Sequence, residues 1–169
     1  LHRVDRRQRQ MCIREGVFFN TRENVQKIDV SYQCLASDSG KIFSLDSAAA
    51  VVVTLPIDSN AIIGWNARFI VQTANDLAYT IFSGDGTDSG GDDFVGAILL
   101  QTTTAADSNY IAPAANDAKI VLDANLANTG GNKGSYVDII KLATNEWMVS
   151  GIVYSSDADS TGAALFIDG

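Results

Sequence analysis

From Lys27 onward, apolar and polar residues alternate with a period of two. Ile28, Val30, Tyr32 and Cys34 are separated by Asp29, Ser31 and Gln33, the pattern of a strand with one buried face. The same signature returns along the chain between short turn signals. Asp38-Ser39-Gly40 turns into Ile42, Phe43 and Leu45. Val51-Val52-Val53-Thr54-Leu55 is a β-branched run that Pro56 stops, because proline has no N–H to give to a ladder. Further strands are expected at Ala67–Gln72, Ala78–Phe82 and Lys119–Leu122, with a less regular apolar stretch at 94–100. Tyr136–Leu142 and Trp147–Val149, joined through Ala143 to Asn145, read as a hairpin, and Gly151 marks a bulge or a close backbone approach. Only the first 25 residues carry even a weak helical period.

Composition agrees with that pattern. Of 20 acidic residues only Glu15, Glu23 and Glu146 are glutamate, and 14 Gly stand against 2 Pro. Aspartate and glycine serve turns, whereas glutamate serves helix interiors, so a helical bundle is excluded as the leading class. The expectation is an all-β, compact β-sandwich or β-barrel of jelly-roll-like form with an extended N-terminal arm. The divisions expected are a basic arm over 1–27, the β domain over 28–154, and a C-terminal tail or interface strap over 155–169.

Charge is split along the chain. Residues 1–30 hold seven basic and four acidic residues, a net of +3; the remainder holds five and sixteen, a net of −11. A basic arm on an acidic body either grips a partner or is simply solvated. The acidic body repels phosphate, which argues against nucleic acid as the partner. Membrane insertion is not expected either. The longest apolar run, Ala48–Val53, is too short to span a bilayer, and the arginine-rich start lacks the apolar core of a signal peptide.

The chemistry-bearing residues are sparse. His2 is the only histidine, so His-based triads and the common zinc motifs are missing. Aspartates are plentiful enough for a carboxylate hydrolase, but they lie in turn-like contexts without an aromatic-lined subsite. The loop 84–93 carries four aspartates among glycines. It reads either as oxygen ligands for a calcium ion or as a solvated hairpin tip with Asx turns, and its spacing matches no EF-hand loop. Cys12 and Cys34 read as free thiols or as a single bridge. Trp147 is expected as a core or interface anchor, while Trp65 suits either the core or a subunit contact.

Certain motifs follow one another in a fixed order. Asp38-Ser39-Gly40-Lys41-Ile42-Phe43-Ser44-Leu45 is followed by Val53-Thr54-Leu55-Pro56, and then by Gly64 with Phe69-Ile70-Val71. Gly134-Ser135-Tyr136-Val137-Asp138-Ile139 and Asn145-Glu146-Trp147-Met148-Val149-Ser150-Gly151 close the series. Over about residues 35–153 this order resembles a family of small tailed-bacteriophage virion proteins, the capsid decoration or cement proteins. The resemblance implies a compact β fold, homotrimers at threefold positions of an icosahedral shell, and the major capsid protein as partner. It also implies no catalysis and no cofactor, and a place on the outer capsid surface after synthesis in the bacterial cytoplasm. The hairpin turn departs from the family's Asp-Gly-Thr-Asn, and residues 1–30 have no counterpart. Attachment is therefore expected through the arm, with Arg6, Arg7, Arg9 and Arg14 making charge-assisted contacts to the shell or a neighbouring subunit. The alternative is a tail-fibre or receptor-binding β-module of the same virion. The chain has no heptad or collagen-like repeat to build a shaft.

Overall fold

Parallel neighbours in a sheet cannot be joined by a tight turn; the chain must leave the sheet and come back. Here it leaves by way of a second sheet. The computed structural model describes residues 24–57, 60–83, 93–103, 107–125, 129–156 and 164–168. β1 (Val25–Ile28), β3 (Lys41–Leu45) and β5 (Asn66–Val71) lie in one sheet, and β2 (Tyr32–Gln33), β4 (Val51–Thr54) and β6 (Tyr79–Phe82) in the other. Each strand pairs in parallel with the one two places before it. The first half of the chain is thus a flattened coil of three turns.

The second half closes the sandwich with β7 (Asp93–Thr102), β8 (Ser108–Ile111), β9 (Asp117–Leu122), β10 (Tyr136–Ala143), β11 (Glu146–Ser155) and β12 (Phe166–Asp168). The larger sheet runs β1-β3-β5-β10-β11-β7-β8 and the smaller β12-β9-β6-β4-β2. β10 is antiparallel to both β5 and β11, while β11 and β7 form a parallel ladder of ten pairs, Glu146↔Asp93 to Ser155↔Thr102. The expected all-β sandwich is what forms, but its connectivity is a parallel coil continued by mixed strands, where a jelly roll is antiparallel throughout.

Alternate residues of each strand fill the space between the sheets. Phe43, Leu45, Phe69, Val137, Ile139, Ile98 and Leu100 face Val53, Ile81, Ile120 and Leu122, all fully buried. Phe43 stacks on Phe69 with centroids 5.1 Å apart.

Four sequence expectations change. The alternating run from Ile28 to Cys34 is two strands in different sheets, joined by a bend at Asp29 and Val30. Its ends, Ile28 and Cys34, are buried, but Val30 at the bend is 69% exposed, so the alternation of the sequence is not carried into burial across the crossover. The stretch at 94–100 lies within one ten-residue strand, β7, in which Gly96 takes φ +108°. β1 takes Val25–Lys27 from the expected arm into the body. Of the expected tail or strap, residues 164–168 pack within the chain: β12 pairs with β9, and Phe166 and the adjoining Leu165 are buried.

Polar side chains pin the coil where it changes sheets. At one end the buried Asp38 carboxylate accepts hydrogen bonds from the Leu35 amide (2.8 Å), Tyr32 Oη (2.9 Å) and Lys41 Nζ (2.7 Å). Lys41 also reaches Gln26 Oε1 on β1, and the Gly40 amide donates to Asn66 O at 2.7 Å. Three turns of the coil are therefore tied through Asp38-Ser39-Gly40-Lys41. Gly40 sits at φ +86°, which a Cβ would strain. At the other end the buried Tyr79 hydroxyl accepts the Ser47 amide at 2.8 Å and lies 2.7 Å from Ser47 O and 2.9 Å from Thr73 O.

Burial alone would raise the Asp38 carboxyl, but the hydrogen bonds from Lys41, Leu35 and Tyr32 outweigh it and hold Asp38 below the usual carboxylate range. Its stabilisation is complete above the ordinary aspartate pKa of about 4 and is lost as pH falls through the lower folded value. Asp38→Asn is expected to cost about 2–3 kcal/mol at neutral pH and to flatten the acid limb of the stability curve. Urea unfolding of both proteins between pH 2 and pH 7 measures this; equal acid limbs would refute it.

Candidate attachment surface

The strand directions bring several connections to one end of the sandwich. β1, β3, β5, β7 and β11 all start there, β2, β4 and β6 end there, and the β10–β11 turn closes there. The chain that precedes Asn24 joins the body at this end, where Asn24 O accepts the Ile42 amide at 2.6 Å.

The floor of this end is aromatic. Trp65 and Trp147 are both fully buried and meet edge to face with centroids 5.5 Å apart. Trp65 donates its indole N–H to Leu35 O at 3.1 Å, and its backbone exchanges N–H and C=O bonds with Ile62 and Lys141. The ammonium of Lys141 lies 4.5 Å from the Trp147 ring centroid, a cation–π contact inside the protein. Both tryptophans are thus core groups of one chain rather than surface groups at a subunit contact.

Above this floor the surface is apolar. Gly64, at φ +91°, donates its amide to Lys141 O at 2.9 Å and tightens the turn before Trp65. That turn pushes Ile62 and Ile63 outward, leaving them 75% and 69% exposed. Leu35, Ile57 and Leu142 are also exposed on neighbouring connections. A shallow groove of about 370 Å³ lies between two of these connections, lined by Gln33, Cys34, Leu35, Pro56, Ile57 and Asn60. Large aliphatic side chains gathered at one end are costly to leave in water, and such patches mark contact sites.

Arg6, Arg7, Arg9 and Arg14 lie outside the described residues, as do Cys12 and Gly84–Asp92 of the Asp/Gly loop. Asp93 begins β7, its amide donating to Asn145 O at 2.8 Å. Among the described residues no group of three or more His, Cys, Asp or Glu side chains is arranged to hold a metal, and no helix is long and apolar enough to cross a membrane. Leu35, Ile57, Ile62, Ile63 and Leu142 were not singled out by the sequence reasoning. The signal for two of them was legible: Ile62-Ile63-Gly64 puts adjacent isoleucines into a turn, where neither strand face can bury them.

The hairpin turn follows its own chemistry. Asn145 takes the left-handed conformation at φ +57°, which asparagine tolerates, so Thr144-Asn145 closes the strands without glycine. Comparison with family models, with curated proteins and with solved structures finds no match for the chain.

Cys34 is a free thiol beneath the groove, 2% exposed. Burial, with a smaller contribution from the charge of Asp38, pushes the thiol well above its ordinary pKa, so it stays protonated. In a Cys12→Ser protein, Cys34 is expected to resist an aromatic disulfide reagent at pH 8 and to react at once in guanidinium. Rapid reaction of the folded protein would mean that the groove opens down to Sγ.

Proposed function

We propose that the chain is a non-enzymatic virion structural protein, a capsid decoration or cement protein that binds the outer surface of a tailed-phage head as a homotrimer and stabilises the shell. The observation that carries this reading is the convergence on one end of the sandwich. The arginine-rich sequence joins the body where Leu35, Ile57, Ile62, Ile63 and Leu142 are exposed. Apolar contacts supply area, and arginines supply charge-assisted bonds to acidic patches.

The ordered motifs support the same reading, because each has a place in the framework of the fold. Asp38-Ser39-Gly40-Lys41 ties three turns together, Pro56 stops β4, and Trp147 anchors the floor beneath the exposed end. The resemblance therefore rests on residues that shape the fold rather than on a reactive group. Three copies joined in one assembly would make three modest shell contacts act together, since the second and third are intramolecular. An acidic body keeps a densely displayed protein soluble and repels stray nucleic acid.

Two substitutions separate the components of attachment. Deleting residues 1–23 leaves Asn24 to bond Ile42 and is expected to keep the fold while abolishing binding to isolated shells. Ile62→Asp with Ile63→Asp is expected to weaken shell binding at least tenfold with little change in melting temperature, because both side chains are already in water. Co-sedimentation with shells of the phage that carries the chain measures both. Unchanged binding in both variants would overturn the proposal. In whole virions, a copy number set by the symmetry of the shell is expected; a few copies per particle would move the protein to the tail.

A further inference from the structure

The outward face of the larger sheet is as patterned as its inward face. Register places Ile70, Tyr136, Ile152, Leu99 and Tyr110 side by side in one row across β5, β10, β11, β7 and β8. A second row, Ile140, Met148 and Val95, runs parallel to it. Between them lies the row Arg68, Asp138, Ser150 and Ala97. Arg68 and Asp138 are paired by two hydrogen bonds of 2.6 Å, Nε to Oδ1 and Nη2 to Oδ2, and the guanidinium lies 4.8 Å from the Tyr136 centroid. The pair cancels its own charge, so the two rows flank a neutral centre. Asp93 and Glu146 lie at one margin, and Lys27 on β1 continues the first row at the sheet edge through Ser44. No described element packs over this face: each of these strands makes its sheet contacts edgewise and its core contacts inward.

We infer that this face is the contact between copies of the chain. The inference rests on the homotrimer reading above and names its surface. Three observations commit the face to a second copy. Bodies of net charge −11 repel one another, and that repulsion costs least where the body's surface carries no net charge, as in the two rows with their cancelled pair. Five strands spaced about 4.8 Å apart, over a usable length of about 22 Å, give a footprint of roughly 500 Å². That is the order of the ~800 Å² that each partner brings to a standard interface. The alternative route, strand addition at a sheet edge, is poorly provided for. The four edge strands, β1, β8, β12 and β2, have four, four, three and two residues, while central β7 and β11 have ten each. Cyclic symmetry about an axis along the strands would also keep every exposed Ile62–Ile63 end on the same side of the assembly, where a shell can meet all of them.

The test is the mass of the full chain by light scattering after size exclusion, with circular dichroism and melting temperature to verify folding. Wild type is expected as an assembly. Met148→Asp with Ile152→Asp is expected to reduce it to a single chain of 18.0 kDa. Ala97→Arg, which adds a charge without removing an apolar group, is expected to do the same and serves if the double variant fails to fold. Val52→Asp, on the outer face of the smaller sheet, is expected to leave the assembly intact. A monomeric wild type, as when the chain's own first 23 residues cover the face, would overturn the inference, and so would folded face variants of unchanged mass. A wild-type dimer that the variants dissociate would support the face and refute the threefold arrangement. An assembled wild type that does not co-sediment with shells would fault only the attachment reading.

Discussion

Parallel pairing is the constraint on which the rest depends. β1, β3 and β5 can be neighbours only if the chain travels away and back between them, and β2, β4 and β6 are those journeys. Both sheets are therefore laid down together, and every crossing falls at one end or the other. Crossings are where backbone groups lose ladder partners, so they need side-chain substitutes. Asp38 and Ser39 supply them at one end, and Tyr79 and Asn75 at the other. The abundance of aspartate over glutamate follows from this demand, because a short carboxylate reaches its own turn.

Much of this was legible because burial and period two are local properties. Phe43 and Leu45, Val51 and Val53, and Phe69 and Val71 announce strands by themselves, and proline and glycine mark their ends. Which sheet a strand joins is not local. The sequence from Ile28 to Cys34 alternates without a break, yet Val30 at the bend faces water while Ile28 and Cys34 enter the core from opposite sheets. Nothing in the residues distinguishes that from one straight strand. β8 was hidden for a different reason: Ser108, Asn109 and Tyr110 are exposed, so it has almost no apolar face to show. The candidate surface was half legible. The arginines of the arm stand out as charge, whereas Leu35, Ile57 and Leu142 gather at one end only through the topology.

Trp65 and Trp147 illustrate how one residue type carries two meanings. Tryptophan marks both cores and interfaces, and sequence alone leaves the two equal. Here the indoles are buried, and their consequence for the surface is indirect. They fill the end of the core, while Ile62 and Ile63 sit in the turn before Gly64 and Leu142 takes the outward position after buried Lys141. The apolar end is thus built from the connections that cap the core rather than from a separate appendage. Its rigidity comes from the Gly64–Lys141 and Trp65–Lys141 backbone bonds that bind it to β10.

The lengths of the strands bear on how such a chain avoids unwanted association. A sheet presents two kinds of sticky surface, its edges and its faces, and this fold treats them oppositely. Edges are cut to two, three or four residues, too short to template a stable ladder. The face of the larger sheet is wide, apolar in two rows and neutral between them. An edge accepts any strand, because backbone hydrogen bonds carry no identity, whereas a patterned face accepts only a surface of matching relief. Short edges limit the indiscriminate contact, and the patterned face leaves room for the selective one inferred above. A protein crowded at high local density on a shell would need that choice, since promiscuous pairing there leads to aggregation rather than to a closed assembly.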